Sequence, residues 1–305
     1  NDILINKKKY NFTGVSINSR EIKKKNLFIS IKGKKNDGHD YIKEALKKGA
    51  RYCVVSKKIK NINQKKLIKV SSAENFLNKF SYKKRNKSRA KIVAITGSAG
   101  KTTLKSLLGN VLNKYARTYY SPKSFNNHYG VPLSLSNLDS EYNYGVFEVG
   151  MSRKGEIKKL SKLIKPDIAI ITNIAEAHIE NFNNIKEIAK AKGEIIDNLG
   201  EKGAVLINRD DKFFNYLSKR AKKNKIKVIS FGKSKKSDVH PVSHKKNIIK
   251  IKVINEFLYI KSVNTNILNI LSTLALIKTL NLNLEKSIKP IECFNSLEGR
   301  GKTHT

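Results

Sequence analysis

Thr96-Gly-Ser-Ala-Gly-Lys-Thr-Thr103 directly follows the apolar run Ile92-Val-Ala-Ile95. A short buried strand that enters a glycine-rich turn and then a helix makes a phosphate cradle. Gly97 and Gly100 let the backbone bend tightly and turn its N–H groups toward an anion. The helix that follows adds the positive end of its dipole. Lys101 can reach terminal phosphates, and the Thr102 hydroxyl can hold Mg²⁺. Ile95 stands where the longer form of this loop has its first glycine, so the motif is a shortened variant. The chemistry it points to is the use of a nucleoside triphosphate.

Other residues fall where they could serve that phosphate. Glu148 closes the run Gly145-Val-Phe-Glu-Val149 and precedes Gly150. It is either a Mg²⁺ ligand or a solvated strand-end carboxylate. His178 follows the run Asp167-Ile-Ala-Ile-Ile-Thr172 by a short loop and is either a site residue or a structural or exposed histidine. Lys192 lies on the apolar stripe of Ile185, Ile188, Ala189, Ile195, Ile196 and Leu199. A lysine turned inward is costly as an ammonium, and burial frees its neutral amine for chemistry such as CO₂ addition. The alternative is snorkelling to solvent at the edge of the stripe. Asn126 and Asn127 sit in a polar loop and could bind substrate or phosphate, or simply make a turn. Asn266 and Asn269 begin the last long helix and could read a base edge or cap the helix.

The elements that must position these residues read as α/β. Residues 1–82 form a small α/β unit, with strands at 26–31 and 52–56 and a helix at 40–48. The basic stretch 83–91 reads as a linker. From residue 92, strands at 92–95, 144–149, 167–172, 204–207 and 226–231 alternate with helices at about 101–114, 155–164, 185–199 and 211–223. That alternation predicts a doubly wound, mainly parallel sheet over 92–296. A hairpin is expected at 248–260 and a helix at 265–280. In such sheets the site lies beyond the carboxyl ends of the strands, where Lys101, Glu148 and His178 fall.

The 305 residues carry 63 Lys and Arg against 24 Asp and Glu, a formal net charge of +39. The lysines are spread along the whole chain, so nucleic acid is not expected as the primary partner. No apolar run approaches the ~20 residues of a membrane span. Cys53 and Cys293 match no metal or redox spacing, and both are expected to be buried, reduced thiols of a monomeric cytoplasmic protein. The chain starts at Asn1, and its only Met is Met151. Both ends read as cut from a longer protein.

Several of these motifs together resemble the Mur ligases. They are the phosphate loop, Asn126-Asn-His-Tyr-Gly-Val-Pro132, Phe147-Glu-Val-Gly-Met151, Gly155-Glu-Ile157, Pro166-Asp-Ile-Ala-Ile-Ile-Thr-Asn173 and Ala189-Lys-Ala-Lys-Gly-Glu-Ile195. The pattern is most similar to the branch that adds D-alanyl-D-alanine. The resemblance implies an ATP-dependent amide ligase of peptidoglycan precursor synthesis, joining UDP-MurNAc-tripeptide to D-Ala-D-Ala through an acyl phosphate.

It implies catalytic roles for Lys101, Glu148, His178 and Lys192. Gly97, Ser98, Ala99, Gly100, Lys101, Thr102 and Thr103 would bind ATP, with Asn269 on adenine and Arg300 contributing. Thr102 and Glu148 would hold one Mg²⁺, and His178 with a carbamylated Lys192 would serve a second. Ser19, Arg20, Asp37, Gly38 and His39 would lie at the UDP end of the substrate, with Asn126 and Asn127 also on substrate. The family carries a third, Rossmann-like domain. Residues 297–305, with Glu298-Gly-Arg300, resemble its entry, so these 305 residues are expected to bind nucleotide weakly and ligate poorly. A tripeptide-forming ligase, a nucleic-acid-dependent NTPase and a non-catalytic nucleotide-binding module are the alternatives.

Overall fold

The computed structural model describes residues 2–5, 8–177 and 179–294. The chain forms two compact units, Asn1–Ser88 with Pro132–Asp139, and Arg89–Val131 with Ser140–Thr305.

In the first unit β1 (Asp2–Ile5) and β2 (Lys8–Asn11) form an antiparallel pair. A parallel sheet follows, made of β3 (Val15–Ser16), β4 (Leu27–Ile29), β5 (Tyr52–Val55) and β6 (Leu67–Lys69) in that order. Helix α1 (Ile42–Lys47) packs Ile42 and Ala45 against Phe28, Cys53 and Val55. Burial pushes the Cys53 thiol up to about 12, which leaves it inert at neutral pH. The open edge of β3 is satisfied by Asn137. Its Oδ1 accepts the Val15 N–H at 2.8 Å and its Nδ2 donates to the Val15 carbonyl at 3.0 Å. That pairing explains why Pro132–Asp139 belong with this unit.

Helix α2 (Ala73–Lys87) opens on Ser72, whose Oγ accepts the Asn75 N–H, and buries Leu77 and Phe80. It runs through most of the basic stretch read as a linker. Lys83 and Lys87 are solvated at this helix end, where their charge suits the negative pole of the dipole, and Lys84 Nζ donates to Asp139 Oδ1 at 2.6 Å.

The second unit is built on a nine-stranded sheet. Its elements in chain order are β7 (Lys91–Thr96), α3 (Lys101–Leu112), β8 (Thr118–Tyr120), α4 (Gly130–Ser136), β9 (Tyr144–Glu148), α5 (Glu156–Ile164), β10 (Ile168–Ile171), α6 (Ile185–Gly193), β11 (Ala204–Asn208), α7 (Phe214–Lys223), β12 (Lys227–Phe231), β13 (Val239–Lys245), β14 (Ile248–Val253), β15 (Glu256–Lys261), α8 (Ile267–Thr279) and α9 (Ile288–Glu292). Helix α4 straddles the division between the units. The strand order is β15-β14-β13-β12-β11-β10-β7-β9-β8. It is parallel from β8 to β13, and the β13–β14–β15 end is antiparallel.

Strand residues alternate between the two faces. Val93, Ile95, Ile170 and Leu206 pack with Leu104, Leu108, Leu271 and Leu274 of α3 and α8. Helices α5, α6 and α7 cover the other face. Strands buried on both faces read as unbroken apolar runs, which is how their positions were legible. Cys293 is exposed. This corrects the expectation of a buried thiol, because the residue lies at the end of the short α9 rather than inside it. No helix among the described residues is long and apolar enough to cross a membrane.

Candidate nucleotide and metal site

Strands β10, β7 and β9 are neighbours, so the loops that leave their carboxyl ends meet. The loop after β7 is the glycine-rich turn. Gly97 has φ +150°, and a Cβ there would lie 1.9 Å from Thr172 Oγ1. The close approach lets Thr172 and Asn173 clamp the turn. Thr172 Oγ1 donates to the Ala99 carbonyl at 2.8 Å. Asn173 Oδ1 accepts the N–H groups of Ser98 at 3.1 Å and Ala99 at 2.9 Å. Asn173 fixes the loop, and its only mark in the sequence is a polar side chain closing Pro166-Asp-Ile-Ala-Ile-Ile-Thr-Asn173.

The amides of Ser98 and Ala99 are therefore already engaged. Helix α3 begins at Gly100, in the left-handed conformation, with no side-chain cap. The first four N–H groups of a helix have no intrahelical acceptor, so those of Gly100, Lys101, Thr102 and Thr103 are the ones offered to an anion. The Lys101 ammonium folds back onto the carbonyls of Gly97 at 2.8 Å and Ser98 at 3.4 Å. Burial lowers its pKa, and the Glu148 charge opposes that shift.

Glu148 is 1% exposed. Its Oε2 accepts the Thr102 hydroxyl at 2.9 Å and its Oε1 accepts Asn126 Nδ2 at 2.8 Å. A Cβ at Gly150 would lie 2.9 Å from Asn126 Cγ, so glycine is what admits the Asn126 amide to the carboxylate. Asn127 plays a different part. Its Oδ1 accepts the N–H groups of Tyr129 and Gly130 and starts α4. A buried carboxylate beside a threonine hydroxyl is a hard oxygen pair of the kind Mg²⁺ takes, with waters and phosphate oxygens completing the octahedron. These residues fit that ion.

Lys192 is 2% exposed on α6. Burial first, and then the Lys101 charge, push its pKa down to about 7. None of the described residues pairs with its ammonium, so an inward position replaces the snorkelling alternative. Glu194, two residues on, caps α5 by accepting the N–H groups of Gly155 and Lys158. Its place in the Lys-Gly-Glu motif is structural. His178 and Arg300 lie outside the described residues, as do all of 297–305. Among the described residues no group of three or more His, Cys, Asp or Glu could hold a metal ion.

The loop and Glu148 open on a cavity of about 810 Å³. Its other walls are Ser124, Asn126, Lys233 and residues 263–267 and 269, of which Ser124, Lys233, 263–265 and 267 were not expected there from the sequence. The two candidate asparagines separate here. Asn266 Oδ1 accepts the Leu268 N–H at 2.9 Å and caps α8. The Asn269 side-chain amide has no partner among the described residues and lies 3.6 Å from where a Gly100 Cβ would sit. Asn266→Ala is therefore expected to lower stability by about 1 kcal/mol in urea unfolding. Asn269→Ala is expected to weaken nucleotide binding, read by titration, more than it changes the unfolding midpoint.

In the first unit the other predicted residues gather at the carboxyl edge of β3–β5. Ser19 Oγ donates to Glu44 Oε2 at 2.8 Å, and Arg20 is exposed beside it. Gly38 has no room for a Cβ, which would lie 2.7 Å from the Ile31 backbone. His39 is buried. Its Nε2 accepts the Ser56 N–H at 3.0 Å, so Nδ1 carries the proton and donates to Asp37 Oδ1 at 2.6 Å. Burial raises the Asp37 carboxyl, but hydrogen bonds from Lys57 and from the His39 amide and ring outweigh it. They hold the carboxyl well below the usual range.

Residues 95–277 match the Mur ligase middle domain, and residues 11–93 match the catalytic domain of the Mur ligase family. The UDP-N-acetylmuramoyl-tripeptide--D-alanyl-D-alanine ligase of Rickettsia prowazekii is 38% identical over 236 residues, 77% of this chain and 52% of that protein. The Escherichia coli ligase of the same name is 35% identical over 197 residues, 65% of this chain and 43% of that protein. A crystal structure of MurF from Acinetobacter baumannii superposes with a TM-score of 0.83 at 25% identity, covering 97% of this chain and 65% of that one. MurF ligase from Thermotoga maritima in complex with ADP gives 0.78 at 29% identity, covering 94% of this chain and 67% of that one. The chain spans about half the length of the curated relatives it matches. With a phosphate loop clamped by Asn173, a buried Glu148 beside Thr102 and family models that match both units, this chain belongs to the Mur ligase family.

Proposed function

We propose that the protein carrying this chain is an ATP-dependent ligase that joins D-Ala-D-Ala to UDP-MurNAc-tripeptide in peptidoglycan precursor synthesis. The observation that carries this reading is the cavity in which the free helix amides, Lys101 and the Thr102–Glu148 pair face one another. The similarity to ligases of that name, one of them solved with ADP, supports the substrates.

The chemistry follows from the charges. A carboxylate is a poor electrophile, so the terminal carboxylate of the tripeptide first attacks the γ-phosphorus of ATP and ADP leaves. The amine of D-Ala-D-Ala then attacks the acyl carbon, and inorganic phosphate leaves with the former carboxylate oxygen. Lys101 and the amides of Gly100–Thr103 hold the phosphates in line for the first step. Thr102 and Glu148 would hold Mg²⁺, which neutralises charge on the transferring group when bound. Asn126 keeps the Glu148 carboxylate turned toward Thr102. The neutral amine of Lys192 would take up CO₂ to become a carbamate, an oxygen ligand for a second Mg²⁺ with His178. Asn269 would meet the adenine, and Asp37, Gly38 and His39 with Ser19 and Arg20 the UDP end of the substrate.

The test is phosphate release from Mg-ATP with UDP-MurNAc-tripeptide, with and without D-Ala-D-Ala. Release that needs both, with a pentapeptide product, is expected. Release indifferent to both but raised by RNA would remove the cell-wall reading and make the +39 charge the central clue.

A further inference from the structure

Lys105 is a lysine in the interior, 2% exposed, that no step above uses. It lies three residues after Thr102 and four after Lys101, so all three share one face of α3. Its Nζ is 3.7 Å from Glu148 Oε2 and donates to the Lys123 carbonyl. Lys123 has φ +48°, a left-handed turn, in the loop that also carries Asn126. One ammonium thus ties α3, that loop and the buried carboxylate together.

The charges around Glu148 are lopsided. Among the described residues it is the only acid lining the cavity, where Lys101 and Lys233 are cations. With Lys105 behind it, the single carboxylate is already compensated. A free divalent cation entering this cavity meets a net positive wall, whereas a triphosphate reverses the balance. We propose that Lys105 is a positioning residue that makes metal entry conditional: it neutralises Glu148 so that the divalent ion enters only with nucleotide phosphates. The inference rests on the nucleotide and Mg²⁺ reading of this cavity. It concerns the order in which ligands enter, which that reading leaves open.

Mn²⁺ is the probe, with free Mn²⁺ read by electron paramagnetic resonance. Without nucleotide, the unmodified protein is expected to show no uptake that Glu148→Gln removes. With a non-hydrolysable ATP analogue it takes up Mn²⁺ at Glu148. Lys105→Met should bind Mn²⁺ without nucleotide at least about tenfold more tightly, since a full charge has left the carboxylate's side. Lys105→Arg, which keeps the charge, should behave like the unmodified protein.

No gain in Lys105→Met, or an equal gain in Lys105→Arg, would overturn the proposal. If Lys105→Met does not fold, the unmodified protein still decides. Uptake without nucleotide that Glu148→Gln abolishes overturns the proposal, and its absence together with uptake on adding the analogue supports it. Failure to bind the analogue at all would instead strike the nucleotide reading itself.

Discussion

Lys192→Met is expected to make the fold more stable at pH 7 by about 4 kcal/mol, while removing the amine that would carry the carbamate. Burial and the neighbouring Lys101 lower the Lys192 pKa from 10.5 to about 7. Between those values the unfolded chain binds a proton at this position that the folded chain does not. Stability therefore falls as pH drops from 10.5 toward 7, and the penalty is fully present below 7. Methionine fills a similar volume and carries no such penalty. The gain should be read from urea unfolding in buffers stripped of CO₂, and it should shrink toward zero above pH 10.5. Equal stability of the two proteins at pH 7 and pH 10 would mean that the ammonium is solvated or paired, and the carbamate reading would lose its physical basis. An amine held in place against stability is what a functional site leads one to expect.

Gly97→Ala is expected to lower stability by about 2–4 kcal/mol and to weaken nucleotide binding by more than about tenfold. Two effects act together. The backbone at φ +150° disfavours any Cβ, and that Cβ would lie 1.9 Å from Thr172 Oγ1 and 3.2 Å from the Asn173 nitrogen. Thr172 cannot simply swing away, because its hydroxyl holds the Ala99 carbonyl and its own N–H is tied to the Thr96 carbonyl. Adding Thr172→Ala should recover part of the stability by removing the hydroxyl while leaving the backbone strain. It should not restore affinity, since the clamp on the loop is gone. A Gly97→Ala protein with unchanged melting and unchanged affinity would show that the turn is not held as described.

The alternation of strands and helices after residue 92 was legible because strands buried on both faces are continuous apolar runs. Lys101, Thr102 and Glu148 were legible because each sits at a strand end or helix start. The paired asparagines were not. Asn126 and Asn127 are the same residue type side by side, and only the direction of the backbone sends one to Glu148 and the other to the Tyr129 and Gly130 amides. Asn266 and Asn269 divide between cap and cavity for the same reason.

Lys105 was hidden among 63 basic residues. It nevertheless lies on the stripe of Leu104, Leu108 and Leu112, and the test that found Lys192 would have found it. Helix α2 was read partly as a linker because its last turn is lysine, arginine and asparagine, with its buried Leu77 and Phe80 one or two turns earlier. Strands β3 and β8 are too short to show a period.

The most direct measurement follows oxygen. UDP-MurNAc-tripeptide labelled with ¹⁸O in its terminal carboxylate is turned over with Mg-ATP and D-Ala-D-Ala by the protein that carries this chain, and the released phosphate is analysed by mass. One ¹⁸O in each phosphate is expected, because the carboxylate oxygen that attacks ATP leaves with the phosphoryl group. Unlabelled phosphate would mean that water, not the carboxylate, takes the phosphoryl group, and that the cavity around Lys101 and Glu148 serves hydrolysis rather than ligation.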